Sequence, residues 1–353
     1  MNRYDIARSY DWNYDHVPDP PVVETPPFPG TWDFCGLPVN SPLGIPAGPL
    51  LNSGWIRYYA ALGFDVLTYK TVRSRRRPSY DPPNLLPVSA NVLSGEGTSV
   101  EAAADGAGSA TWAISFGMPS KDPAVWRADV ERARLALRRG QVLTVSVVAS
   151  PESDWTLGRI AQDFADCAGW AVESGAQAVE ANLSCPNVCS GEADLYLNAE
   201  AAGEIAAAVR ERAGKVPLIL KIGLFQDRGQ AEALVGAVHP WVDALSTANS
   251  ITATVRGRSG EPLFGGLRRG IGGAAITARC LEELKMLADI IRRAGAPLRL
   301  IGVGGVMTAA DVRDRIAAGA HHVQLATAPM LDPLAGIRIR REWDGANPPA
   351  GFK

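Results

Sequence analysis

The chain has 353 residues, 46% of them hydrophobic and 20% charged, with a formal net charge of -2, the balance of an ordinary folded protein. That charge gives no general pull toward nucleic acid or an acidic membrane, and no apolar run approaches the length of a membrane span. Five cysteines (Cys35, Cys167, Cys185, Cys189 and Cys280) are an odd count at irregular spacing, which argues against a disulfide framework and for a reducing, cytoplasmic setting. There is no CxxC, and His16, His239, His321 and His322 lack ligand spacing, so no metal site is expected.

Residues 1–40 are rich in Pro and Asp and read as an extended arm packed on the domain that follows, residues 41–353. Asp5, Arg8, Asp11 and Asp15 are unlike a signal peptide. From Leu43 a βα rhythm sets in. Apolar runs at Leu43–Ala47, Val66–Tyr69, Val142–Val148, Ala178–Leu183, Leu218–Ile222, Ala244–Ala248, Leu298–Val303 and His322–Ala326 read as parallel strands buried on both faces. Helical patterns separate them at Asp122–Arg139, Leu157–Ser174, Ala199–Arg212, Gln230–Val238, Ala275–Arg293 and Ala309–Ala318.

Strands alternating with helices over most of the chain predict an α/β fold, a single (β/α)8 TIM barrel. A doubly wound open sheet needs a Gly-rich turn leading straight into a helix, and Pro49 after Gly48 removes that fingerprint. Two polar stretches, Arg73–Thr111 and Thr252–Arg269, hang as long loops from C-terminal strand ends, the face on which barrels build their sites. Ala113–Pro119 reads as an ordered extended piece, while Arg73, Arg75, Arg76 and Arg77 read as a solvated loop.

The chemistry gathers at the same end. Gly302-Val303-Gly304-Gly305 closes a buried strand ahead of a helix capped by Thr308, and the next strand ends at Ala326-Thr327. Glycine lets backbone N–H groups approach an anion, and a helix N-terminus favours negative charge. The two loops predict a phosphate-bearing ligand. Gly270-Ile271-Gly272-Gly273 reads as a third turn able to add donors. Lys70 and Lys221 each lie in an apolar run, where a buried ammonium calls for an electron-rich partner. Asn182, Asn187, Asn249 and Ser250, at strand exits, can read a planar, amide-containing substrate by paired hydrogen bonds.

The stretch Glu180-Ala181-Asn182-Leu183-Ser184-Cys185-Pro186-Asn187-Val188 hands a strand end to two carboxamides, a hydroxyl and a thiol. Together with Lys70-Thr71, Lys221, Asn249-Ser250, Ile301–Val306 and Gly319-Ala320 through Thr327, it resembles the dihydroorotate dehydrogenases over about Leu43 to Met330. The resemblance implies FMN in the barrel mouth, its phosphate on Gly304, Gly305, Ala326 and Thr327. Lys221 would lie near the flavin N1 and C2 oxygen, and Lys70 between flavin and substrate. Ala47, Gly48, Thr71, Asn182 and Gly273 complete the expected cofactor set, and Phe116, Gly117 and Met118 join the amides on the substrate.

The implied reaction takes dihydroorotate to orotate, or the reverse, by proton abstraction at C5 and hydride transfer to flavin N5. Cys185 stands in the base position, similar to the soluble class 1 enzymes, with Cys189 a bystander. One departure is expected to matter: Ile114 stands where family members carry a ring-binding asparagine. That leaves open the same flavin chemistry on a different cyclic substrate. A flavin-free barrel that binds a phosphorylated metabolite is the alternative of another class. A small-molecule substrate, a homodimer and an electron-transfer subunit are the partners that the resemblance implies.

Overall fold

The computed structural model describes residues 3–95, 97–103, 109–184 and 194–343. Eight strands close a barrel in chain order: β1 (Leu43–Ile45), β2 (Val66–Val72), β3 (Val142–Val147), β4 (Ala178–Asn182), β5 (Leu218–Lys221), β6 (Ala244–Thr247), β7 (Arg299–Gly302) and β8 (His322–Gln324). Every neighbouring pair is parallel, and β8 returns to β1 through Val323↔Leu43 and Gln324↔Gly44. The fold is the expected TIM barrel.

Helices follow the strands: α1 (Ser53–Ala60), α2 (Pro123–Ala136), α3 (Leu157–Glu173), α4 (Ala199–Ala213), α5 (Arg228–Val238), α6 (Thr277–Ala294), α7 (Ala309–Ala317) and α8 (Ala335–Glu342). Their ends follow local chemistry. Thr308 and Asp311 form a reciprocal capping box at the start of α7, satisfying two N–H groups that a helix start leaves unpaired. Gly295 closes α6 in the left-handed region at φ 60, where a Cβ is penalised. Helix α2 stops at Ala136 rather than Arg139, because Leu137 turns extended. Helices α1 and α8 lie outside the predicted helical patterns. Both are short, and α1 carries a glycine near its start.

The barrel interior is layered. Near the strand starts Val66, Val142, Ala178, Ile219, Ala244 and Ile301 form an apolar floor. A hairpin of Trp32–Phe34 with Leu37–Val39 plugs it from below, Phe34 and Val39 joining that cluster. One step further along the strands the interior turns polar. Thr144 and Ser246 are fully buried there, and their hydroxyl oxygens have no hydrogen-bond partner among the described residues. The described part of the arm packs on the barrel through Tyr4, Tyr10 and Phe28, and the Tyr10 amide donates to the Asn84 side chain at 2.9 Å.

The two long stretches carry strands between their loops. Leu85–Ser89, Thr98–Ala102, Thr111–Ile114, Ile251–Arg256 and Arg269–Gly273 build a second, small closed sheet over the barrel mouth. It has its own core, with Val88, Val100, Ala113, Ile251, Val255 and Ile271. Gly270–Gly273 is therefore a strand and not a turn. It pairs with Ile251–Ala253 on one side and with Thr111–Ile114 on the other. Its glycines admit that neighbour closely, since a Cβ on Gly273 would lie 2.0 Å from the Ala110 carbonyl oxygen.

The basic cluster divides as well. Arg73 is buried at 1% exposure, its Nε donating to the Met118 carbonyl at 3.2 Å and its Nη1 to that of Ala149. It is a strut between β2, β3 and the Met118 segment. Arg76 is exposed, and Arg75 pairs with Glu152 at the surface.

Candidate functional site

At the C-terminal mouth of the barrel a cleft encloses about 1110 Å³ of space, part of it open to solvent. Its barrel-side wall carries Ala47, Gly48, Lys70, Thr71, Asn182 and Lys221, with Gly304, Gly305, Ala326 and Thr327 at one end. Its cap-side wall carries Leu85, Trp112, Ile114, Phe116, Met118, Gly272 and Gly273. Asn249 lines the cleft too. Gly117 and Ser250 are not on the walls. Gly117 sits against Tyr80, whose ring lies 2.6 Å from where a Cβ would be. Cys185 and Asn187, together with Cys189, lie outside the described residues.

Local geometry brings the polar groups in. Alternation would send Lys70 and Thr71 to opposite faces of β2. The pairing of β2 with β3 shifts between Tyr69 and Val72. An extra residue of this kind re-aims side chains, and both Lys70 and Thr71 reach the cleft. The Thr71 hydroxyl lies 3.0 Å from that of Ser146. The Asn182 amide nitrogen lies 3.5 Å from Thr71 Oγ1 and from Met118 Sδ, while its oxygen accepts from the Ser184 amide at 3.2 Å. Asn249 Nδ2 donates to the Ser184 carbonyl. The chain therefore leaves β4 at the cleft rim, Ser184 being the last described residue before the predicted base.

Lys221 is 5% exposed; its backbone carbonyl accepts from the Leu183 amide at 3.0 Å, while no hydrogen bond or ion pair joins its ammonium to a described residue. Glu180, two residues before Asn182 on β4, is buried with Oε1 unpaired among the described residues. Gln324 donates to Thr68 Oγ1 at 3.1 Å but leaves its Oε1 unmatched. Native interiors pair such groups. Lys221 and Gln324 both face the cleft, so a polar occupant is what their chemistry asks for.

The glycine end is tightly built. Thr277, the first residue of α6, holds the Gly305 carbonyl through its hydroxyl at 2.7 Å. Gly304 and Gly305 have φ of 95 and 74. A Cβ would meet Cys280 Sγ at 2.6 Å in the first case and Thr277 Cα at 2.5 Å in the second. Burial pushes the Cys280 thiol up to about 12, so it is a neutral packing group. His322 lies at the other end of the barrel, its Nε2 3.1 Å from the Asp33 carbonyl. Burial holds its pKa down to about 4. Among the described residues, no three His, Cys, Asp or Glu side chains converge to hold a metal. No described helix is long and apolar enough to cross a membrane.

Comparison with known proteins decides the family. The family model described as dihydroorotate dehydrogenase matches residues 31–343. The chain belongs to the dihydroorotate dehydrogenase family. It is 34% identical over 335 residues to the dihydroorotate dehydrogenase of Dictyostelium discoideum, covering 89% of this chain and 87% of that one. It is 35% identical over 185 residues to the catalytic subunit of dihydroorotate dehydrogenase B (NAD(+)) from Solidesulfovibrio magneticus, covering 51% of this chain and 57% of the relative. A crystal structure of DHODH in complex with ferulenol from Eimeria tenella shares the fold, with a TM-score of 0.68 at 17% identity over 89% of this chain and 83% of that one. The family is one of flavin-dependent oxidoreductases acting on CH–CH groups, and its members generally bind FMN.

Proposed function

We propose that the protein oxidises dihydroorotate to orotate with FMN held in the cleft. The observation that carries this reading is the company Lys221 keeps. The ammonium of a buried lysine, without a partner among the described residues, shares one cleft with Lys70, Asn182, Asn249 and a glycine turn set against a helix N-terminus. An electron-rich ring with a phosphate tail satisfies all of them together. Gly304, Gly305, Ala326 and Thr327, which line one end of the cleft, would hold the phosphate through backbone N–H groups. Lys221 and Gln324 would face the ring. Bound FMN supplies the hydride acceptor.

The chain's own residues supply the rest. Asn182 and Asn249 orient the substrate ring, and Lys70 meets its anionic end. Cys185, placed by sequence one residue beyond Ser184, takes the proton from the carbon next to the carbonyl. A thiol acts as thiolate, so the rate of flavin reduction is expected to rise toward alkaline pH. The cysteine in this position makes the protein class 1-like. An electron-transfer subunit is the partner that we propose from the half-length match to the B-type catalytic subunits.

The test is an anaerobic titration of the purified yellow protein. Dihydroorotate should bleach the flavin absorbance and dihydrouracil should not. A protein that binds FMN and stays yellow with dihydroorotate would refute the substrate. Cys185→Ala should keep FMN and slow the bleaching by about 100-fold or more; a wild-type rate would remove Cys185 as the base.

A further inference from the structure

Behind the glycine turn lies a charge that no described step uses. Arg315, on α7, is fully buried. Its Nη2 donates to the Gly304 carbonyl at 2.7 Å and to the Thr277 carbonyl at 3.0 Å. One guanidinium thus ties the turn to the first residue of α6. Its Nε and Nη1 have no hydrogen-bond partner among the described residues, and no described carboxylate forms an ion pair with it. Asp311 and Asp314, on the same helix, act on it only from beyond ion-pair distance. The Cys280 thiol beside it is neutral. The interior therefore holds an almost uncompensated positive charge, which is costly unless something anionic comes close.

The peptide linking Gly304 to Gly305 is planar. Holding its carbonyl from behind turns the Gly305 N–H to the opposite side and strengthens it as a donor. We propose that Arg315 is a phosphate-positioning residue: without touching the ligand, it orients and polarises the Gly304–Gly305 peptide and biases the cleft toward flavins that carry a phosphate. This rests on the phosphate lying at that turn.

Flavin-stripped full-length protein is titrated with FMN and with riboflavin, following flavin fluorescence, for the wild type and for Arg315→Met, Arg315→Gln and Arg315→Lys. The wild type should prefer FMN. The preference should fall about 10- to 100-fold in the two uncharged variants, the size of losing a charge-assisted contact. Riboflavin affinity should hold within about threefold, and Arg315→Lys should recover part of the preference. Arg315→Gln carries the test if Arg315→Met does not fold. A wild type that binds both flavins equally refutes the phosphate reading of the turn itself. A wild-type preference that survives in the uncharged variants overturns the role of Arg315 alone. So does an equal loss of both flavins, or misfolding of both uncharged variants with the preference of Arg315→Lys unchanged; each makes Arg315 purely structural.

Discussion

Lys221→Met separates a ligand-binding lysine from a structural one. Methionine keeps most of the length of the side chain and removes its charge. Without FMN the Lys221 ammonium has no hydrogen bond or ion pair to a described residue and the side chain is buried, so no described bond is broken, and stability should hold within about 1 kcal/mol. With FMN present the loss is a hydrogen bond to a charged group, about 1.5–3 kcal/mol. That raises Kd about 10- to 150-fold. A 100-fold weaker Kd removes about 2.7 kcal/mol of ligand stabilisation at fixed excess FMN, a few degrees of melting temperature for a domain of this size. The assay is a pair of thermal melts, with and without FMN, beside a fluorescence titration. The melts should coincide without FMN and separate with it. A variant that melts lower without flavin, yet binds FMN like the wild type, would make Lys221 a fold residue and remove the observation on which the proposed function rests.

Gly305→Ala should destabilise the protein by about 2–5 kcal/mol, from left-handed strain and overpacking together, because its Cβ would stand 2.5 Å from helix backbone at Thr277; an unchanged denaturant midpoint would show that the turn is not this tight. Ile114→Asn gives the ring an amide partner and should tighten dihydroorotate binding about 5- to 150-fold, read in the anaerobic titration; no change would mean that Ile114 does not face the ring. His322 has a folded pKa of about 4 against 6.5 when free. Between those values the unfolded chain takes up a proton that the folded chain refuses, so its contribution is full above about pH 6.5 and is lost as pH falls toward 4. That amounts to about 3 kcal/mol, and His322→Gln should flatten this part of a stability–pH curve. An equally steep curve in the variant would assign the acid sensitivity to other groups.

Barrel strands such as Val142–Val147 were legible because both faces are buried and nearly every residue is apolar or small. The cap strands were not. In Ile251–Arg256 only Ile251, Ala253 and Val255 are buried, and the residues between them are partly or fully exposed. That alternation was present in the sequence, but the surrounding polar residues read as loop. Arg73 was misread for another reason: its acceptors, at Met118 and Ala149, are contributed by distant parts of the chain, which spacing does not reveal. Arg315 left a clue. Ala309, Val312 and Ile316 define the buried stripe of α7, and position 315, three after Val312, lies on that stripe. A charge there is out of pattern, and such departures tend to mark functional sites.

The cleft has two kinds of wall, and the division has a consequence. Lys70, Thr71, Asn182 and Lys221 come from barrel strands whose positions are fixed by the closed parallel ladder. Trp112, Ile114, Gly272 and Gly273 come from the cap, which rests on its own smaller core. A cap substitution can therefore alter how the substrate ring is read while the barrel-side groups stay in place. One of the places where the two walls meet is the cap strand Arg269–Gly273, which runs through a short turn into α6, whose Thr277 holds the Gly305 carbonyl. Ile114→Asn sits on the opposite flank of that strand, across the Gly270↔Ile114 pair. It should shift the dihydroorotate titration and leave the FMN-dependent melt unmoved. If both moved together, cap and barrel would act as one unit, and a cap substitution could not alter substrate reading apart from cofactor binding.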